Sequence, residues 1–572
     1  MTSQSTAPDN VTATSTNRRL QSPVPATENR RIARAAGLVS VLTLLSRVGG
    51  LGRDVVVGYY FGAGMAADAF FVALRVPNLL RRLVAEGAMN VAFIPVFADY
   101  AANRNRHETA RAARALATVM AVILAVLTIA GMLWAPALTA AFAPGFGDQP
   151  GKLALTVGLT RVVFPYLFLI GLVSLSGGLL NAYRHFAAPA LSPIFLNLAI
   201  IASAIVLAPR LAEPVYGVAC GVVLGGVLQL TILQPPLWRR GVRLWPCWEP
   251  RHPAVRRVLW LLLPTVFAVA TYQLSVVFNT ILASVLPGGS VSYLWYATRV
   301  YEFPIGLFAV ALGTAALPSF STQAARGAYA EMTESVSFAI RLTNFVALPA
   351  SVGLLCLAQP IVSVLFQRGA FGAHEVELTA RALSAMVVGL WALSITRVLV
   401  PAFYALHDAR TPVLTGVAAL LVNICASFML MGVVPATGRS GLADVIAHIT
   451  ASVSVASMQH AGLALASSIA AIVNTVLLAV ILRRRLPTLR FGSLGRSLLQ
   501  SGVAAAAMVW PVRSIAAGVE WNQAGGLLLK GAVLSAAMIA GVAVFALVAV
   551  LIGGEDVRRL FRAVRLSRRP DL

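Results

Sequence analysis

Six arginines, Arg47, Arg53, Arg75, Arg81, Arg82 and Arg299, lie inside long apolar runs, where a guanidinium is costly unless it pairs or faces water. A planar guanidinium holds phosphate oxygens bidentately, so several converging in one place would make a site for a diphosphorylated molecule that tolerates lipid. Arg47 and Arg53 bracket a stretch, Ser46 to Asp54, that contains three glycines. On an ideal helix these two arginines lie about 120° apart. Local unwinding at the glycines would bring both into one cavity; close helix packing through the glycines, with Asp54 merely neutralising Arg53, is the alternative. Further on, Asp68, Arg75 and Arg82 recur at intervals of seven and share a helix face, with Glu86 one turn beyond Arg82 at the spacing of an ion pair. Arg81, three residues after Asn78, points elsewhere and has no acidic residue three or four positions away, so it is the better candidate for a free cation. Arg299 has Glu302 three residues on and Pro304 just beyond, so pairing at a kink competes with a role in the cavity.

The elements that must position these residues are membrane helices. Hydrophobic residues make up 58% of the 572-residue chain and charged residues 12%, against about 25% charged in an ordinary soluble domain. A water-soluble protein of this size is excluded. A bilayer core about 30 Å thick takes about 20 apolar residues per helix. From residue 33 onward the chain contains fourteen such runs, at approximately 33–62, 67–99, 113–143, 153–183, 187–208, 214–238, 257–286, 290–319, 332–357, 373–406, 412–435, 458–482, 497–518 and 526–553. The stretch from Pro360 to Phe371, ahead of the tenth, is a candidate re-entrant piece. The expected fold is all-α, a polytopic membrane protein with 14 transmembrane helices.

Lys and Arg number 45 against 21 Asp and Glu, a net charge of +24 that in a soluble protein would point to nucleic acid. With the amino terminus inside, 29 of these bases fall on the inner face and five in outer loops, namely Lys152, Arg210, Arg368, Arg439 and Arg513. This positive-inside asymmetry puts both termini in the cytoplasm and assigns the surplus to topology and anionic lipid, with no nucleic-acid partner. Arg161, Arg341 and Lys530, near run ends, read as snorkelling side chains. Residues 1–32 are polar, lack the apolar segment of a signal peptide and read as a disordered cytoplasmic tail.

The first six runs and the next six read as copies. Arg75-Val76 and Arg299-Val300 are related by an offset of 224, and runs six and twelve align without a gap at 245, matching Gly217 with Gly462 and Gln229 with Asn474. Six runs per copy is even, so the copies share an orientation, as in an alternating-access transporter with its site between two bundles. The expected organisation is an N-lobe at 33–240, a C-lobe at 253–485 with an outer-loop insertion at about 436–457, a helix pair at 496–553 and a basic cytoplasmic tail at 554–572. The Gly217, Gly221, Gly225 ladder is a packing face. Enzyme motifs are missing: Gly147 to Leu153 has the wrong spacing for a phosphate-binding loop and His374-Glu375 starts no zinc motif, so a transporter without a cofactor is expected.

These residues and motifs carry a resemblance. Ser46-Arg47, Arg53-Asp54, Ala67-Asp68-Ala69-Phe70-Phe71, Pro77-Asn78-Leu79-Leu80-Arg81-Arg82, Ala85-Glu86-Gly87 and the run from Ser292 to Arg299 with Glu302-Phe303-Pro304 closely resemble the MurJ (MviN) family of bacterial lipid II flippases. That family belongs to the multidrug/oligosaccharidyl-lipid/polysaccharide exporter superfamily. The resemblance implies two six-helix lobes around a cationic cavity, with the last helix pair forming a groove for a polyprenyl tail. It implies movement of lipid II across the cytoplasmic (inner) membrane, and substrate binding by Arg47, Arg53, Arg81 and Arg299. Asp54, Asp68, Asn78, Arg82, Glu86, Ser292 and Glu302 would be supporting polar or gate positions. Arg381 or Arg397 would pair with Glu86, and cell-wall synthesis or division proteins would be partners. Some relatives bind sodium through acidic residues where this chain has Asn279, Asn423 and Ser427, which puts a sodium site in doubt. The rival readings are export of another lipid-linked oligosaccharide on the same fold and a non-transporting scaffold for cell-wall enzymes.

Overall fold

The computed structural model describes residues 26–83, 93, 95–97, 99–100, 103–436, 441–489 and 491–552, and their regular structure is helical, without a strand. Helix α1 (Ala26–Phe61) leads through a tight turn into α2 (Met65–Leu80). The first half continues with α3 (Arg106–Leu133), α4 (Ala135–Phe142), α5 (Lys152–Val163), α6 (Pro165–Ala182), α7 (Ala187–Val206) and α8 (Val215–Trp238). The second half comprises α9 (Pro253–Ser284), α10 (Ser290–Pro304), α11 (Val310–Ala325), α12 (Tyr329–Cys356), α13 (Ala358–Phe366), α14 (Ala373–Val387), α15 (Leu390–Ala405), α16 (Arg410–Leu430), α17 (Gly441–Val453) and α18 (Gln459–Arg485). The chain closes with α19 (Phe491–Ala507), α20 (Val509–Ala516) and α21 (Leu527–Ile552).

Among the described residues eight helices are long and apolar enough to cross a membrane, or nine if the α14–α15 pair, bent by 43°, counts as one span. Helices occupy the places of the other expected runs, but α1 carries several arginines and other runs are interrupted. Prolines place several interruptions, since a ring at a helix start has no N–H to lose. Pro136 opens α4 and Pro165 opens α6. Pro304 precedes a π-helical turn, Ile305–Ala309, between α10 and α11. The piece around Pro360 is the separate nine-residue helix α13.

The expected internal repeat has structural counterparts. α7 packs along α8, and α16 packs along α18 in the same way. A Cβ on Gly217 would lie 2.6 Å from the Ala208 backbone, and one on its counterpart Gly462 would overlap the Leu430 backbone. Each glycine lets a helix start come close to the end of the helix it packs along, α8 to α7 and α18 to α16. A π-helical turn also lies beyond each of the repeat-related arginines: residues 81–83 beyond Arg75, and 305–309 beyond Arg299.

At the Arg-rich end, Asp408 caps α16 by accepting from the Thr411 backbone N–H at 3.0 Å and its hydroxyl at 2.8 Å. These bonds, with Arg485 nearby, hold its carboxyl below the usual range, so the cap is in place at neutral pH and weakens only as acid protonates it.

The glycine ladder of α8 tests the packing. A Cβ on Gly221 would stand 2.8 Å from the Ser203 Cβ and 2.9 Å from the Ile200 Cα, whereas one on Gly492 meets nothing within 4 Å. Gly221→Val should cost about 1–3 kcal/mol by overpacking. It should lower the thermal unfolding midpoint in detergent, and Gly492→Ala should leave that midpoint nearly unchanged.

Candidate functional site

The two halves of the chain meet at one end in a seal. The α1–α2 turn carries Gly62 in the left-handed region (φ 57°) against the Ala370 carbonyl, and the Ala370 N–H donates to the Tyr59 carbonyl at 2.9 Å. The Tyr296 hydroxyl donates to the Gly62 carbonyl at 3.0 Å. Behind this turn Phe71, Trp295, Tyr296, Phe366 and Phe371 pack ring against ring.

Asp68 locks the seal. Its carboxylate, 1% exposed, accepts from the Lys152 ammonium at 2.8 Å, the Gly289 N–H at 2.8 Å, the Ser292 N–H at 2.9 Å and the Ser292 hydroxyl at 2.7 Å. An acidic residue of α2 thus caps the N-terminus of α10, where the free N–H groups and the helix dipole favour an anion. Asp68 shares a helix face with Arg75, as expected, but lies at the seal and not in the cavity. Lys152, expected in an outer loop, is the buried first residue of α5.

Below the seal lies a cavity of about 1630 Å³ that reaches Tyr404, Pro412 and Val413 at the far ends of α15 and α16. Among the described residues Arg47, Arg53, Arg75, Arg81, Arg82, Arg299 and Arg397 line it, against two carboxylates, Asp54 and Glu302. Asp54, 1% exposed, is the hub: its Oδ1 accepts from Arg53 Nε at 3.0 Å and Nη2 at 2.8 Å, and its Oδ2 stands 3.1 Å from Arg299 Nε. Arg299 also pairs with Glu302 at 3.3 Å, so pairing and cavity lining coexist there. Arg299 and Arg75 both lie over the Trp295 ring, 4.5 and 5.0 Å from its centroid. That contact offsets charge through the ring's π face and engages no N–H donor in a hydrogen bond.

Two expectations are corrected. The glycine stretch does not unwind: α1 is continuous, and Gly49 and Gly50 lie beside Asn197 of α7, which donates to the Ser46 carbonyl at 3.1 Å and accepts from Arg53 at 3.3 Å. Arg47 and Arg53 still reach one cavity because it is wide and guanidinium stems are long. Arg81 is not a free cation, since its Nε donates to Asn78 Oδ1 at 3.1 Å. Among the described residues, Arg47, Arg82 and Arg397 line the cavity with neither a hydrogen bond nor an ion pair. Of the two bases considered for Glu86, Arg397 lines the cavity, whereas Arg381 is exposed and pairs with Glu377. Glu86 itself, and with it the expected Arg82–Glu86 pair, lies outside the described residues.

Sequence reasoning missed Asn197, Trp295 and Lys530. Lys530 does not snorkel: it is 5% exposed and donates to Ser363, Gln367 and the Trp521 carbonyl, pinning α21 to α13. The cavity continues into an apolar groove whose walls include Pro349 of α12, Val364 of α13, Val512 of α20 and Val542 of α21. The positions considered for sodium form a neutral network. Asn423 donates to Ser275 at 3.0 Å and to Asn279 at 3.2 Å, and Asn279 donates to Ser467 at 3.0 Å. Asn279 and Asn423 are thus engaged by each other and by Ser275 and Ser467, Ser427 Oγ is buried without a partner, and none of them carries a carboxylate, so the set lacks the negative charge that would hold a cation.

A polytopic helical protein with one sealed end and a cationic cavity between its halves has the architecture of a membrane transporter. Family-level comparison makes this specific: residues 57–524 match the family described as "Lipid II flippase MurJ", and the chain belongs to that family. It is 39% identical over 456 residues to the lipid II flippase MurJ of Burkholderia cenocepacia, covering 79% of this chain and 84% of that one. It is 38% identical over 405 residues to the probable lipid II flippase MurJ of Vibrio cholerae, covering 70% and 77%. Among solved structures, a lipid II flippase MurJ in an inward closed conformation shares the fold at a TM-score of 0.70 and 23% identity, over 89% of this chain and 98% of that one. An inward-facing MATE-family transporter of the MOP superfamily shares it at 0.62 and 15%, over 79% and 98%.

Two substitutions probe seal and cavity separately. Lys152→Met leaves Asp68 buried without its ammonium, and breaking such a pair costs about 3–5 kcal/mol. The seal should loosen, read as faster labelling of a Ser275→Cys probe by an impermeant thiol reagent from the sealed side. Gly306, in the π-helical turn, has no room for a Cβ beside the Arg47 guanidinium. Gly306→Val should therefore displace Arg47 and reduce transport with protein levels unchanged, whereas Gly52→Ala, which meets nothing within 4 Å, should not.

Proposed function

We propose that this chain flips lipid II, the undecaprenyl-diphosphate-linked peptidoglycan precursor, from the inner to the outer leaflet of the bacterial cytoplasmic membrane by alternating access. The observation that carries the reading is the charge balance of the cavity, seven arginines to two carboxylates among the described residues, beside an apolar groove continuous with it. A diphosphate answers the charge, and a polyprenyl chain answers the groove. Membership of the lipid II flippase family supports the same substrate.

In this reading the sealed end faces outward, both termini are cytoplasmic and the chain crosses the membrane fourteen times. Residues 33–240 and 253–485 act as lobes, with 496–553 as the tail-binding pair. The diphosphate enters from the cytoplasmic side, engages Arg47 and Arg81, and displaces Asp54 from Arg53 and Arg299. Neutralising these charges removes the repulsion that holds the lobes apart around the cavity and lets them rock. Rocking parts Asp68 from the α10 N-terminus and Ser292. The cytoplasmic opening then closes through Glu86, for which Arg397 is the suitably placed partner. A charge crossing the membrane gains or loses about 2.3 kcal/mol per 100 mV, so an inside-negative potential returns the empty cationic cavity inward.

Alanine at any one of Arg47, Arg53, Arg81 or Arg299 should abolish complementation of a strain depleted of its flippase while the protein remains in the membrane. Normal growth with any of the four would remove that residue from the site. Purified protein in liposomes should move lipid II, and failure of the unmodified chain to do so would overturn the function.

A further inference from the structure

The short helix α17 lies in the outer-loop insertion that the repeat comparison isolates, and its surface divides into three faces. At 100° per residue, Ala443, Ile446, Ala447 and Thr450 form one face and are buried against the protein. Asp444, His448 and Ser452 form a polar face. Between them Leu442, Val445, Ile449 and Val453 make an apolar stripe, each 36–50% exposed. A helix seated on a water-exposed surface needs only the first two faces.

Position identifies what covers the third. At 13 residues α17 is about 20 Å long, too short to cross a bilayer core of about 30 Å. It is held at the ends of two spans: the Val455 and Met458 N–H groups donate to the Met429 and Leu430 carbonyls at 2.9 and 3.0 Å, where α16 finishes and α18 is about to begin. The Thr450 hydroxyl accepts from the Val434 N–H at 3.1 Å, tying the connection from α16 to the buried face. The stripe continues into exposed Met429 and Val433 beside it and from there along the outward side of α16 through Leu421, Val417 and Leu414. It is therefore part of the lipid-facing belt, at the level where that belt meets the sealed end. α17 also touches the Pro144–Asp148 turn of the first half, whose Gly145 N–H donates to Ser284 at the seal.

We propose that α17 is an interfacial helix, with Leu442, Val445, Ile449 and Val453 set in the headgroup–acyl boundary of a phospholipid monolayer and its Asp444, His448 and Ser452 face in water. Such a helix buries its apolar side about 5–10 Å below the headgroups while its polar side stays hydrated. Because α17 hangs from the second half and touches the first, its seat in the lipid surface anchors the line along which the seal opens.

The test is site-directed spin labelling of the full chain in phospholipid nanodiscs, with the four native cysteines replaced by alanine and single cysteines placed at Val445, Ile449, His448 and Ile446. Labels at 445 and 449 should collide more with oxygen than with a water-soluble nickel chelate, the label at 448 should show the reverse, and 446 should be protected from both. Chelate access at 445 and 449 equal to that at 448 would overturn the proposal. Protection of 445 and 449 from both reagents would also overturn it, marking a protein contact in place of lipid. The unmodified chain gives a second reading that needs no cysteine background: a phospholipid carrying a photoactivatable carbene precursor in its upper acyl chain should label Val445 and Ile449 and spare His448. Failure to label them would count against the proposal equally.

Discussion

The structure depends on Asp54, a carboxylate shared by arginines from opposite halves of the chain. Arg53 reaches it from its own helix and Arg299 from α10, and the hub is almost wholly buried. One negative charge between two guanidiniums leaves a net positive charge, and among the described residues the wall around it adds Arg47, Arg75, Arg81, Arg82 and Arg397 against Glu302. Such an excess is tolerable because a cavity of about 1630 Å³ is large enough to admit water and because Trp295 lies under two of the cations. In the proposed cycle the diphosphate takes the place of Asp54 at Arg53 and Arg299, an exchange confined to the hub.

Local exchange becomes a change at the seal because the same helices carry both. α1 bears Arg53 and Asp54 and ends at Gly62, whose carbonyl accepts from Tyr296. α2 begins near Asp68 and ends at Leu80, just before Arg81. α10 begins at the Asp68-capped N-terminus and ends just past Arg299. The rise along α10 from Ser292 to Arg299 is about 10 Å, within one stiff helix. A shift of Arg299 relative to Asp54 therefore moves the cap on Asp68, with no need for a chain of side-chain rearrangements between them. The seal is held by side chains that grip backbone groups of the other half, Asp68 on the Gly289 and Ser292 N–H groups and Tyr296 on the Gly62 carbonyl, so it opens or closes as a unit.

Much of this is legible in the sequence for one physical reason: a charge inside an apolar run is anomalous wherever it occurs. Arg47, Arg53, Arg81 and Arg299 stand out on that ground alone, and all line the cavity. Periodicity gives a helix face but not a depth, which is why the spacing places Asp68 on the face of Arg75 and not at the seal. Lys152 looks like a loop base because it sits at the edge of a run, and its burial depends on Asp68, 84 residues away. Asn197 and Trp295 carry no charge and are unremarkable in composition, so their contacts with Arg53 and Arg299 emerge only when the helices are packed. Lys530 escapes a sequence reading for the same reason, its acceptors lying on α13 and in the loop before α21.

The π-helical turns show how the repeat serves the site. An extra residue in a helical turn widens it and redirects the helix beyond, and such turns are frequent at functional sites. Here one includes Arg81 and Arg82 in the first half, and its counterpart in the second comes directly after Arg299 and its kink. In the first copy the wide turn carries the cations itself. In the second the turn contains Gly306, and the space left by its missing side chain is filled by the guanidinium of Arg47, reaching across from the other half. The two corresponding turns thus serve as different parts, a wall that projects arginines and a recess that receives one. The cavity is cationic on both sides although far more of its arginines belong to the first half.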